Sequence, residues 1–129
     1  MESKMTYKIL VVDEELSARV IIREMLADLD AEIVFGSNWR DALEISAEIS
    51  PDLLIISRNL PFQSGIAASR IIHMSLPGLP ILMLAEDISG ELREHALKAG
   101  VSRILYKPID REELSFFAIL ALGAAHESV

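Results

Sequence analysis

Five short apolar runs punctuate the chain, and a stretch with helical spacing follows each of them. Lys8–Val12, Glu32–Gly36, Leu53–Ser57, Ile81–Ala85 and Arg103–Tyr106 predict strands. Most are continuous rather than alternating, which suits strands buried on both faces. Leu16–Leu29 carries apolar residues at 18, 21, 22, 25, 26 and 29, the wide stripe of an amphipathic helix. A second helix is capped by Ser37 or Asn38, has Asp41 in its first turn and runs to about Ile49, where Pro51 ends it. A third runs from about Ile66 to Ser75, broken by Leu76-Pro77-Gly78. Ser89 caps a fourth over Gly90–Ala99, with Gly100 in the left-handed position after it. Asp110 caps a last helix that reaches about Ala125. The rhythm predicts an α/β fold, a doubly wound five-stranded parallel sheet flanked by five helices. One domain is expected over residues 1–129, with its core at about 8–125.

Composition narrows the function classes. At 51% apolar and 25% charged residues, the chain has the mix of a globular domain rather than a disordered one. A net charge of −8 argues against non-specific binding to nucleic acid or anionic lipid. With no cysteine there is no disulfide framework, thiolate nucleophile or cysteine metal site. No apolar run approaches the roughly 20 residues of a membrane helix, and MESKMTYK lacks the apolar core of a signal peptide. The expectation is a cytoplasmic domain with a protein partner, no nucleic acid and no membrane.

Candidate chemistry gathers at strand C-termini, where a parallel sheet builds its sites. Asp13 and Glu14 follow the first strand, Ser57 ends the third, and Lys107 follows the fifth. Two carboxylates can hold a hard cation such as Mg²⁺, and a lysine nearby can hold an anion. The plainer reading is an acidic loop paired with Lys107. Asp52 begins strand three at the opposite end of the sheet and is not a candidate.

ILVVDEE, PDLLIISRNLP with Gly65, PILMLAED and Lys107-Pro108 stand in the order and spacing of the receiver domains of two-component response regulators, which the chain resembles from Lys8 to about Ala125. The resemblance implies the CheY-like strand order 2-1-3-4-5. It implies that Asp13 and Glu14 match the acidic pair that binds Mg²⁺, and that Asn59 matches the position whose backbone carbonyl completes the metal site. Lys107 matches the lysine that contacts the phosphoryl group, and its bond to Pro108 is usually cis in the family. Three positions depart from the pattern. Ser57 stands where the family has its phosphoacceptor Asp, Ala85 where it has a Thr or Ser, and Ile104 where it often has a Tyr or Phe that swings inward. Tyr106 lies two residues on, on the same strand face as Ile104. A serine hydroxyl is a weak nucleophile unless a base activates it. The expectation is a pseudo-receiver with no enzymatic activity and no obligatory cofactor, residual Mg²⁺ binding aside.

Phe116–Ala125 reads FFAILALGAA, ten residues without a charge. A helix apolar on all sides needs cover on all sides. The expected interface is therefore the surface of helix four, strand five and helix five, with Ile104, Tyr106, Phe116, Phe117 and Leu120, facing a protein partner or a second copy. Phe62 is expected to be exposed beside Ser57, Trp39 to pack on helix two, and His73, His95 and His126 to be surface residues. Two other readings stay open: a small-molecule sensor using the crevice, and the N-terminal regulatory domain of a longer DNA-binding response regulator.

Overall fold

The computed structural model describes residues 6–127, with side chains through residue 123. In chain order the elements are β1 (Tyr7–Val12), α1 (Leu16–Met25), β2 (Ala31–Gly36), α2 (Trp39–Ile49), β3 (Leu53–Ser57), α3 (Gly65–Ser75), β4 (Ile81–Ala85), α4 (Gly90–Lys98), β5 (Arg103–Tyr106) and α5 (Arg111–Glu127). All strands are parallel, in the order β2-β1-β3-β4-β5. This is the doubly wound sheet the sequence predicts.

Alternation along each strand splits the core into two layers. Ile9, Val11, Leu53, Ile55, Leu82, Leu84 and Leu105 point one way, toward Ile22 and Leu26 and toward Leu114, Ala118 and Leu122 of α5. Leu10, Val12, Leu54, Ile56, Ile81 and Met83 point the other way, toward Ala42 of α2, Ala68 and Ile72 of α3 and Ala96 of α4. With helices on both faces, β3 and β4 are buried along their whole length. That explains why their sequences are unbroken apolar runs.

Side-chain caps fix where most helices begin. Asn38 Oδ1 accepts from the Asp41 amide at 2.9 Å, Ser64 Oγ from Ala67 at 3.2 Å, Ser89 Oγ from Leu92 at 3.0 Å and Asp110 Oδ1 from Glu113 at 2.9 Å. The N-cap residue of α1, Glu15, makes no such bond. α1 also ends four residues earlier than its apolar spacing predicts. After Met25 the chain tightens into short-range bonds, Ala27 N to Glu24 O and Leu29 N to Leu26 O. Leu26 still packs in the core and Leu29 against it, so the hydrophobic period outlasts the helix.

Gly100 takes φ +94° after α4, the conformation a glycine best tolerates, and its α-carbon packs on the His73 ring. His73 is thus half-buried instead of lying on the surface, with Nδ1 buried and without a partner. His95 is exposed and Trp39 packs partly on the second layer. The side chain of His126 lies outside the described residues. Among those residues no helix is long and apolar enough to cross a membrane.

Candidate functional site

The register places the site. Ser57 pairs with Leu84 across β3–β4, and Ala85 with Tyr106 across β4–β5. The C-terminal ends of β1, β3, β4 and β5 therefore open into one cleft of about 160 Å³, lined by Asp13, Glu14, Glu15, Ser57, Asn59, Leu84, Ala85, Glu86 and Lys107. Lys107 enters it from the turn after β5, where the Lys107–Pro108 bond is cis.

Lys107 organises the interior. Its Nζ donates to Asp13 Oδ2 at 2.8 Å, to Glu15 Oε1 at 3.1 Å and to Ser57 Oγ at 3.4 Å. An ammonium has three protons, and these three acceptors match them. Burial alone would lower the Lys107 pKa, but the hydrogen bonds and charges of Asp13 and then Glu15 outweigh it and hold it above its ordinary value. Asp13 is only 1% exposed. Its second oxygen, Oδ1, accepts from the Glu15 amide at 3.0 Å, and its carbonyl accepts from Arg19 Nε at 3.0 Å.

Ser57 is 2% exposed. Its hydroxyl donates to the Asn59 carbonyl at 3.3 Å, so the proton points at a backbone oxygen and not at a carboxylate. The loop above it is held close. Gly65 N donates to Arg58 O at 2.7 Å, and a β-carbon at Gly65 would collide with the Ser57 carbonyl oxygen. Phe62, at the tip of this loop, is 96% exposed with φ +71°, a backbone region that bulky residues avoid.

The donors named for Mg²⁺, Asp13, Glu14 and Asn59, line the same cleft. Asp13 Oδ2 and Oδ1 each accept one hydrogen bond, from Lys107 and from the Glu15 amide, the Asn59 carbonyl accepts one from Ser57, and Glu14 is exposed. Among the described residues, no group of three or more acidic, His or Cys side chains is placed to hold a metal ion. Mg²⁺ needs only one or two carboxylates and keeps several waters, and Asp13 and Glu14 are the carboxylates that would hold it here, with Asn59 in the same cleft. Of the acidic cluster after β1, Asp13 and Glu15 reach Lys107 and Glu14 does not. Glu15 is the residue that sequence reasoning passed over. The available signal was an Asp two positions earlier, whose side chain can accept from the amide at 15 in a tight turn.

Along the β5 edge beside the cleft, Tyr106 is exposed and Ile104 is half-buried against the second core layer. Phe116 is 59% and Leu120 55% exposed, with Ile119 exposed beside them. Phe117 is half-buried. It packs against the first core layer, meets Phe116 edge-on at 5.0 Å and lies under Arg103, whose guanidinium is 4.1 Å from the ring centre. Phe117 and Leu120 line one open groove with Arg103 and Ala121.

Comparison with known proteins bears on this geometry. A family model described as "Response regulator receiver domain" matches residues 9–117. The transcriptional regulatory protein ZraR of Escherichia coli K12 is 30% identical over 118 residues, which are 92% of this chain and 27% of that protein. A protein-glutamate methylesterase/protein-glutamine glutaminase of Methanococcoides burtonii is 34% identical over 113 residues, 84% of this chain and 32% of that protein. The chain thus spans about a third or less of the length of these two relatives. Among solved structures, the signal receiver domain of an HD domain-containing protein from Pseudomonas fluorescens Pf-5 superposes with a TM-score of 0.89 at 27% identity, covering 95% of this chain and 99% of that one. A CheY-like receiver domain protein from Methanospirillum hungatei JF-1 gives 0.91 at 19% identity, over 97% and 100%, a likeness of fold.

Proposed function

Because this chain belongs to the response regulator receiver domain family, we propose that it is a receiver that works without phosphorylation, as a protein-interaction module and not a catalyst. The observation that carries this reading is Ser57. A buried neutral hydroxyl stands at the end of β3, where the resemblance places the phosphoacceptor carboxylate. Its proton is directed to the Asn59 carbonyl and its oxygen accepts from Lys107. An unactivated hydroxyl attacks poorly, and a general base would have to reach its proton. Asp13 accepts from Lys107 and the Glu15 amide and not from the Ser57 hydroxyl. Ala85 brings no hydroxyl to the cleft.

Output then rests on a surface that does not switch. The face of α4, β5 and α5 carries Tyr106, Phe116 and Leu120 outward, with Ile104 and Phe117 packed beneath, and it favours a second copy or a protein partner. The negative charge of the chain supports a protein over nucleic acid.

The test is treatment with acetyl phosphate and Mg²⁺, read by intact mass and by the amide spectrum, with beryllofluoride in parallel. No adduct and an unchanged spectrum are expected. A phosphoryl adduct at Ser57 would overturn the reading.

A further inference from the structure

We propose that the groove beside α5 is a binding site for an amphipathic carboxylate, a small molecule with an apolar body and one carboxylate group. The groove stands apart from the Ser57 cleft: it lies over the starts of β4 and β5, at the opposite end of the sheet. Its origin is in the layering. One face of the sheet carries α2, α3 and α4, and the other carries α1 and α5. Two helices leave part of a five-stranded face uncovered. The gap, about 520 Å³, falls between α5 and the turn from Pro77 to Pro80. Small-molecule sites run to roughly 300–1,000 Å³.

Arg103 supplies the charge. It pairs in register with Leu82 and stands two residues before Leu105, so it points to the face on which those leucines are buried. Its guanidinium lies 4.1 Å from the centre of the Phe117 ring. Stacking of this kind uses the flat of the guanidinium. The in-plane N–H groups stay free to hold a carboxylate through two parallel bonds. Among the described residues no acidic side chain pairs with Arg103.

The walls decide what the rest of the occupant is. Pro77 and Pro80 have no N–H, and the amides of Leu79, Gly100 and Ser102 already donate to the carbonyls of Leu76, Leu97 and Ile81. The Ser102 hydroxyl oxygen accepts from the Ile81 amide at 3.2 Å. A peptide laid here would find few partners for its own backbone, and backbone groups buried unpaired are costly. An apolar body needs none. Leu79, Leu120 and Ala121 offer it contact, and Arg103 is the one charged residue of the described lining.

The experiment is a titration of the whole chain with octanoate and, in parallel, with octan-1-ol, which has as many carbons and no charge. The amide signals of Leu79, Gly100, Arg103 and Ala121 report on the groove. Octanoate should shift them saturably. Arg103→Gln should weaken octanoate roughly two- to fivefold and leave octan-1-ol near wild type. Arg93→Gln removes the same charge from α4 but does not line the groove, and should leave octanoate near wild type. No saturable shift with octanoate would overturn the proposal, and so would an octanoate affinity unchanged by Arg103→Gln. An equal loss of octan-1-ol in Arg103→Gln would overturn it too, because apolar contact alone would then select the ligand. An equal loss of octanoate in Arg93→Gln would do the same, since general electrostatics would suffice.

Discussion

The cleft at the strand ends and the outer side of α5 treat their neighbours in opposite ways. In the cleft the buried polar groups meet one another: Lys107 meets Asp13, Glu15 and Ser57, and Ser57 meets Asn59. On α5, Phe116, Ile119 and Leu120 are exposed, each at more than half. A satisfied buried network resists change, because removing any one member strands the rest. An exposed apolar surface invites cover. The contrast sets a satisfied polar network against an uncovered apolar surface.

The sharpest way to break that contrast is to unbalance the cleft. Lys107→Met leaves the Asp13 carboxylate buried beside the uncharged Ser57. It should cost about 3 kcal/mol of stability, read by urea denaturation. A loss below about 1 kcal/mol would mean that the ion pair does not hold the strand ends together. The counterpart on α5 should leave stability alone. Phe116→Asp with Leu120→Asp should weaken association at least tenfold, about 1.4 kcal/mol, while stability stays within about 0.5 kcal/mol per substitution. Light scattering over a concentration series reads this directly. A wild type that stays monomeric at high concentration would exclude the second copy and leave a different protein partner.

The smallest effect expected is with pH. The Lys107 pKa lies above its ordinary value of 10.5 in the folded chain. A raised folded pKa favours the folded state wherever the lysine is charged in both states. The contribution is therefore complete at neutral pH, begins to fall near 10.5 and is lost as pH rises through the folded value. Denaturation midpoints of wild type should drop over that alkaline window, and those of Lys107→Met should drop less. Parallel curves would remove Lys107 from the account.

Much of this was legible in sequence. β3, β4 and β5 begin and end at the residues expected, because continuous apolar runs bounded by Pro, Ser and Gly leave little room for another register. Asn38, Ser89 and Asp110 were readable as caps for the same local reason. The end of α1 was not, since Leu26 and Leu29 keep the helical period while the backbone has already turned. Nor was the choice of Glu15 over Glu14. Three acidic positions in a row look alike in sequence, and only the Asp13-to-Glu15 turn aims one of them at a lysine 92 positions on. His73 was missed because its packing depends on Gly100, brought beside it only by the fold.

The close approach of Gly65 to the Ser57 carbonyl separates two kinds of freedom in this chain. The Ser57 hydroxyl faces the cleft, where another side chain would change the chemistry, while the Ser57 carbonyl faces Gly65. The spacing of the loop is gauged by a hydrogen where other residues carry carbon, and any side chain at 65 would push the strand end away. Any substitution at 65 is therefore a change to the end of β3 as well.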